Sequence, residues 1–237
     1  MAALEDILQR RTVWRGAASP GEAPAVPTGF PLLDRELPGG GWPAGGLTEL
    51  LGERQGIGEL QLVLPALAAL TGQGRRVAWI APPHLPYAPA LAAAGIDLTQ
   101  LVVVRAPGRR DALWAAEQVL RAGSCRALLA WLPVARYPEL RRLAVAAAAG
   151  HACALFFRPR AAAAEPSPAC LRLVLEPGPD GQALAVRILK RRGAPAEAAL
   201  LVPVKRPFLH ALGRAAFPLP AARDAGTARR LGLPVHA

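Results

Sequence analysis

The sequence predicts an α/β fold built on a mostly parallel sheet, and three observations carry that expectation. Short apolar runs alternate with helical stretches between residues 47 and 157, the pattern of repeated strand–helix–strand units. Glycines at 72, 95, 123 and 150 stand where those helices should stop. A glycine turn, Gly52 to Gly58, joins an apolar run to a helical one. Two additions frame this core: a late antiparallel hairpin after residue 170, and a helical arm at the N-terminus.

Taken in order, residues 4–11 read as a short amphipathic helix with Leu4, Ile7 and Leu8 on one face. Trp14 follows, then the Gly/Pro/Ala linker GAASPGEAPAVP. Residues 1–27 are therefore expected to form a helix and linker, residues 28–206 a single domain, and residues 207–237 a loosely ordered tail rich in Pro, Ala and Arg. Leu4, Ile7, Leu8 and Trp14 are candidates for docking on another chain, either a second copy in a homo-oligomer or a different protein, because a helix this short is marginal alone in water. Within the domain, strands are expected at 47–51, 76–81, 101–104, 126–132 and 151–157. Helices are expected at 59–71, 87–94, 110–121 and 138–149. Residues 170–176 and 183–190 read as a strand pair around the Asp180-Gly181 turn signal, with one more apolar run at 199–204.

The chain has 237 residues, 52% of them hydrophobic, enough for one α/β domain with a real core. Its formal net charge is +11. Lys190 and Lys205 are its only lysines, so arginine supplies the rest. Part of that excess reads as an Ala/Arg coding bias; two readings stand for the whole, a merely arginine-biased soluble surface and an anionic partner, nucleic acid first. Cys125, Cys153 and Cys170 lie in apolar contexts and read as buried hydrophobes in a reducing compartment. The four histidines have no metal-ligand spacing. No apolar run reaches membrane length, and the acid-bearing N-terminus is not a signal peptide. A cytoplasmic protein without metal or cofactor is the expectation.

The stretch LTELLGERQGIGELQLVLPALAAL has the frame of a phosphate-binding loop without its chemistry. A working loop reads G-x-x-x-x-G-K-[ST]. Here Gly52 opens it, Gly56 lies within it, Gly58 holds the lysine position and Glu59 the hydroxyl position. Glu59 puts a carboxylate at the helix N-terminus, where a phosphate would otherwise bind.

The order TGFPLLD, PGGGWPAGGLTELLG, alternating helices and strands, then ACLRLVL resembles the RecA-like ATPase core, which implies a three-layer arrangement. Within it, the N-terminal VWRG and the late LKRRG resemble the translesion-synthesis accessory proteins of the ImuA group, over roughly residues 4–193. The SulA cell-division inhibitors share the same degenerate frame. The RecA-like resemblance places a general-base glutamate near Pro82 or Pro83 and a magnesium-linked aspartate at Trp131. Lysine, hydroxyl, base and metal acid are thus all absent, and no phosphoryl-transfer mechanism remains. His84 is nearby but off the motif; Trp131 reads as a core residue.

The ImuA resemblance implies a non-enzymatic role in SOS-induced, error-prone translesion synthesis. Its implied partners are an ImuB-type polymerase-like protein and, through it, a DnaE-type polymerase. The SulA alternative implies binding of the tubulin-like division protein. RecA-like proteins also bind DNA through loops after late core strands. That makes Arg158 and Arg160, with the triplet Lys190, Arg191 and Arg192, candidates for weak, non-specific phosphate contact. No aromatics interleave with them, so base stacking is not expected.

Overall fold

A computed structural model describes residues 25–179, 181–193 and 199–204. The N-terminal arm with Leu4, Ile7, Leu8 and Trp14, the turn residue Asp180 and the tail at 207–237 lie outside the described residues.

Ten strands and five α-helices are described. In chain order they are β1 (Ala25–Val26), α1 (Pro31–Glu36), β2 (Trp42–Pro43), β3 (Gly46–Gly52), α2 (Glu59–Gly72), β4 (Val77–Ile80), α3 (Ala88–Ala93), β5 (Leu101–Val104), α4 (Arg109–Ala122), β6 (Ala127–Trp131), α5 (Tyr137–Ala149), β7 (Cys153–Pro159), β8 (Leu171–Pro177), β9 (Ala183–Lys190) and β10 (Leu200–Pro203). A 3-10 turn, Arg160–Ala164, follows β7. β1 and β2 form a small antiparallel pair. The other eight strands form one sheet in the order β10-β9-β8-β3-β7-β6-β4-β5. From β8 to β5 every pairing is parallel. β9 runs antiparallel to β8, and β10 antiparallel to β9. The expected mostly parallel sheet with a late antiparallel addition is what the chain forms.

Alternation along the strands divides the core in two. One face of β3, β4, β6 and β7 sends Leu50, Trp79, Leu129 and Leu155 against Leu62, Val63 and Leu67 of α2. The opposite face sends Leu47, Ile80, Leu128 and Phe156 against Ala116 and Leu120 of α4 and Leu140 and Leu143 of α5. Both faces are covered by helices, which is why the central strands read as unbroken apolar runs. Gly123 closes α4 in the left-handed region, φ 62°, as its position predicted. Gly72 remains inside α2, whose cap is Gln73, so that helix ends one residue later than expected.

The strand expected at 151–157 instead spans Cys153–Pro159. Its pairing with β3 continues through Leu51↔Arg158 and Gly52↔Pro159. Arg158 and Pro159 therefore belong to the sheet and not to the loop that an Arg-Pro pair suggested.

Candidate functional site

In parallel sheets ligand sites lie beyond the carboxyl ends of the strands, and β3 delivers the glycine turn there. Residues 53–58 connect β3 to α2. Gly56 and Gly58 have φ 78° and 109°, the left-handed region that glycine enters without strain. The turn directs the backbone N–H groups of Gly56 and Gly58 toward one point. Glu59 occupies that point: Gly56 N–H donates to Oε1 at 2.9 Å and Gly58 N–H to Oε2 at 3.1 Å. A side chain of the loop's own helix thus takes the place of an anion.

Beside this turn lies a cavity of about 670 Å³, bordered by the ends of β3, β6 and β7 and by the residues after β4 and β5. The size suits a small ligand or an inserted side chain. Its wall is largely apolar, including Leu50, Ile57, Pro83, Pro107, Pro133 and Leu175. Trp131, expected as a core residue, is buried and stacks on Phe157 at 4.8 Å between ring centroids and 16° between planes. Trp79 packs on it at 5.6 Å in a tilted pair. The position that the RecA-like resemblance assigns to a metal acid is thus part of an aromatic floor. Ala81, at the rim, has φ 50°, a strained conformation for a residue with a Cβ. His84 is exposed on the loop beyond it, as are Leu85 at 74% and Tyr87 at 66%.

An ionic cluster that the sequence reading missed lies behind the cavity. Glu49, in the middle of β3, is fully buried. Its Oε1 accepts from Arg158 Nη1 at 2.6 Å and its Oε2 from Arg172 Nε at 2.5 Å. Arg158 also donates to the Ala135 carbonyl and to Glu165 Oε2, at 3.1 and 2.8 Å. Arg172 donates to the carbonyls of Ala162, Ala163 and Glu165. One carboxylate in the sheet thereby pins two arginines, which hold the 3-10 turn after β7. The available signal was one charge inside each of three apolar strands, LTELL, CALFFRP and LRLVL.

This cluster corrects one of the DNA-contact candidates. Arg158 is buried and its charge is matched by Glu49 and Glu165, so it presents nothing to a phosphate. Arg160 pairs with Glu176 near the surface. Lys190 donates to the Ser167 carbonyl at 3.0 Å, and Arg191 pairs with Glu36 at 2.9 Å. Arg192 is exposed. Of the five, Arg158 is buried, while Arg160, Lys190 and Arg191 each have a partner within the protein.

The three cysteines are free thiols. Burial pushes Cys153 up to about 12 and also raises Cys125 and Cys170. Cys125 and Cys153 are buried, as their apolar settings predicted; Cys170 is half-buried, with its Sγ–H directed at the Leu47 carbonyl. Among the described residues no helix is long and apolar enough to cross a membrane.

Comparison with known proteins places the matched region over this site. The family model for the cell division inhibitor SulA matches residues 45–154. SulA of Edwardsiella piscicida is 37% identical over 112 residues, covering 45% of this chain and 67% of that protein.

The chain belongs to the SulA family.

The SulA match begins just before β3 and stops inside β7, so Arg158, Arg172 and strands β8 to β10 lie beyond it. Protein RecA of Acholeplasma laidlawii is 35% identical over 118 residues, which is 48% of this chain and 34% of RecA. The chain thus spans about a third of that relative's length. A crystal structure of SulA from Pseudomonas aeruginosa aligns with TM-score 0.42 and 27% identity, over 49% of this chain and 99% of that one.

Proposed function

We propose that this SulA-family chain is a non-enzymatic adaptor in SOS-induced, error-prone translesion DNA synthesis. It works with an ImuB-type polymerase-like protein in the cytoplasm and, through it, with a DnaE-type polymerase. The observation that carries the non-enzymatic part is Glu59. The loop that would cradle a phosphate is bonded to its own carboxylate, and a second anion there meets repulsion. What surrounds the loop suits a protein partner. The cavity wall is largely apolar, and exposed Leu85 and Tyr87 lie two and four residues after its lining residue Pro83. Aromatic and aliphatic anchors of this kind dominate protein interfaces. The translesion role rests on the resemblance at both ends, VWRG and LKRRG, outside the matched 45–154.

A second reading is a cell-division inhibitor that binds the tubulin-like division protein. It is favoured by the identity with SulA of Edwardsiella piscicida. Affinity capture of the full chain from DNA-damaged cells separates the two. Recovery of the polymerase-like protein, reduced in L85A/Y87A, supports the adaptor. Recovery of the division protein instead replaces it with the second reading.

A further inference from the structure

The amino edge of the sheet carries a second concavity, of about 580 Å³, on the side away from the site described above. Arg76 and Arg126 immediately precede β4 and β6, which are paired neighbours. The Arg126 N–H donates to the Arg76 carbonyl at 2.8 Å, so the two side chains leave the sheet side by side. Arg75 adjoins them on the same wall. Arg75 and Arg76 are exposed, and Arg126 is half-buried. No Asp or Glu lines the hollow, and none of the three arginines pairs with a carboxylate among the described residues. The Arg126 guanidinium donates to the His151 carbonyl, which orients the group and leaves its charge in place.

The alternative is that these arginines only balance helix ends. α2, α4 and α5 all finish here, at Gln73, Gly123 and Gly150. Each C-terminus carries about half a negative charge. Three such ends amount to roughly one and a half charges against three full positive ones. A positive excess remains. Part of the wall is bare backbone, at Gly74, Gly123 and Gly150, so a ligand backbone approaches closely. No aromatic ring lines the hollow, which removes base stacking. Nor does an exposed apolar side chain border it for insertion in a bilayer; its one large apolar residue, Leu70, is buried.

The geometry points to this arginine notch as a binding site for the phosphodiester backbone of nucleic acid, without sequence preference. It shares no residue with Arg158, Arg160 or Lys190 to Arg192, and it does not depend on which protein partner the chain has. Phosphate oxygens accept from the paired guanidiniums, and binding releases counterions.

Fluorescence anisotropy of a labelled mixed-sequence DNA oligonucleotide with the full chain at low salt tests it. Wild type should bind. R75E/R76E, whose side chains project into solvent, should keep its melting temperature and lose at least about tenfold in affinity. Its salt dependence should flatten by about two units of slope, one per lost phosphate contact. R75Q/R76Q should show a smaller loss of the same kind, which guards against a misfolded charge-reversal variant. K190A/R192A should bind within about twofold of wild type, since the notch is left intact. Absence of wild-type binding, unchanged binding in R75E/R76E, or loss confined to K190A/R192A overturns the proposal. So does an R75E/R76E protein that loses anionic phospholipid vesicles while retaining DNA.

Discussion

Glu49 holds two arginines that have no other carboxylate within the sheet. Its replacement by alanine leaves Arg172 without a carboxylate and Arg158 with Glu165 alone, and removal of one partner from such a cluster costs about 3–5 kcal/mol. E49A is therefore expected to lower the urea midpoint strongly. Replacing all three, as E49L/R158M/R172M, should come within about 2 kcal/mol of wild type, because a well-packed apolar substitute avoids the desolvation cost. Equal destabilisation in the two proteins would show that the ions are not what matters. Glu59 carries the second residue-scale prediction. Titration calorimetry of wild type with millimolar Mg-ATP should show no binding heat, because the loop N–H groups are engaged. E59A should lose about 1 kcal/mol of stability with its two hydrogen bonds, and micromolar ATP affinity in wild type would contradict the proposed function. The two glutamates differ in how legible they were. Glu59 was readable because a loop motif is local and its donors are one and three residues away. The partners of Glu49 are 109 and 123 residues away, so only the strand register brings them together, and no local pattern encodes that register.

Strand and helix positions were largely legible because apolar runs and terminal glycines are short-range signals. The misplaced boundary at β7 shows where this fails. Arg158-Pro159 looks like a loop entry, yet proline is tolerated at a strand's end and Arg158 finds its counter-charge inside. The N-terminus of α5 offers a pH test at the same scale. Burial raises the Glu139 carboxyl, but the Arg136 backbone N–H and the Arg109 guanidinium outweigh it, and the net shift is downward. The Arg136 N–H donates to Glu139 Oε2 at 2.7 Å, closing the first turn of the helix. A carboxyl with a lowered folded-state pKa stabilises above its unfolded value, and that stability is lost as pH falls through the folded value. The melting temperature of E139Q should therefore lie below wild type at neutral pH, with the gap closing on acidification. A gap that persists unchanged down to pH 3 would exclude the ionised form as its cause.

Across the whole molecule, β3 is the strand on which everything is assembled, and both its neighbours come late. β3 spans Gly46–Gly52, while β7 ends at Pro159 and β8 at Pro177. A chain truncated after residue 165 keeps β7 and loses the opposite neighbour along with Arg172. It should show no cooperative thermal transition by circular dichroism, and a sharp transition near that of the full chain would make β8 to β10 dispensable. The same order has a consequence for synthesis. Ribosomes add about 5–20 residues per second, so β3 waits on the order of 6–25 seconds between its own emergence and that of its second partner. During that interval its apolar edge is open, and pairing across such sequence distances is intrinsically slow. An unpaired apolar edge invites aggregation, so the nascent chain is expected to gain from a holding chaperone until residue 177 has left the exit tunnel.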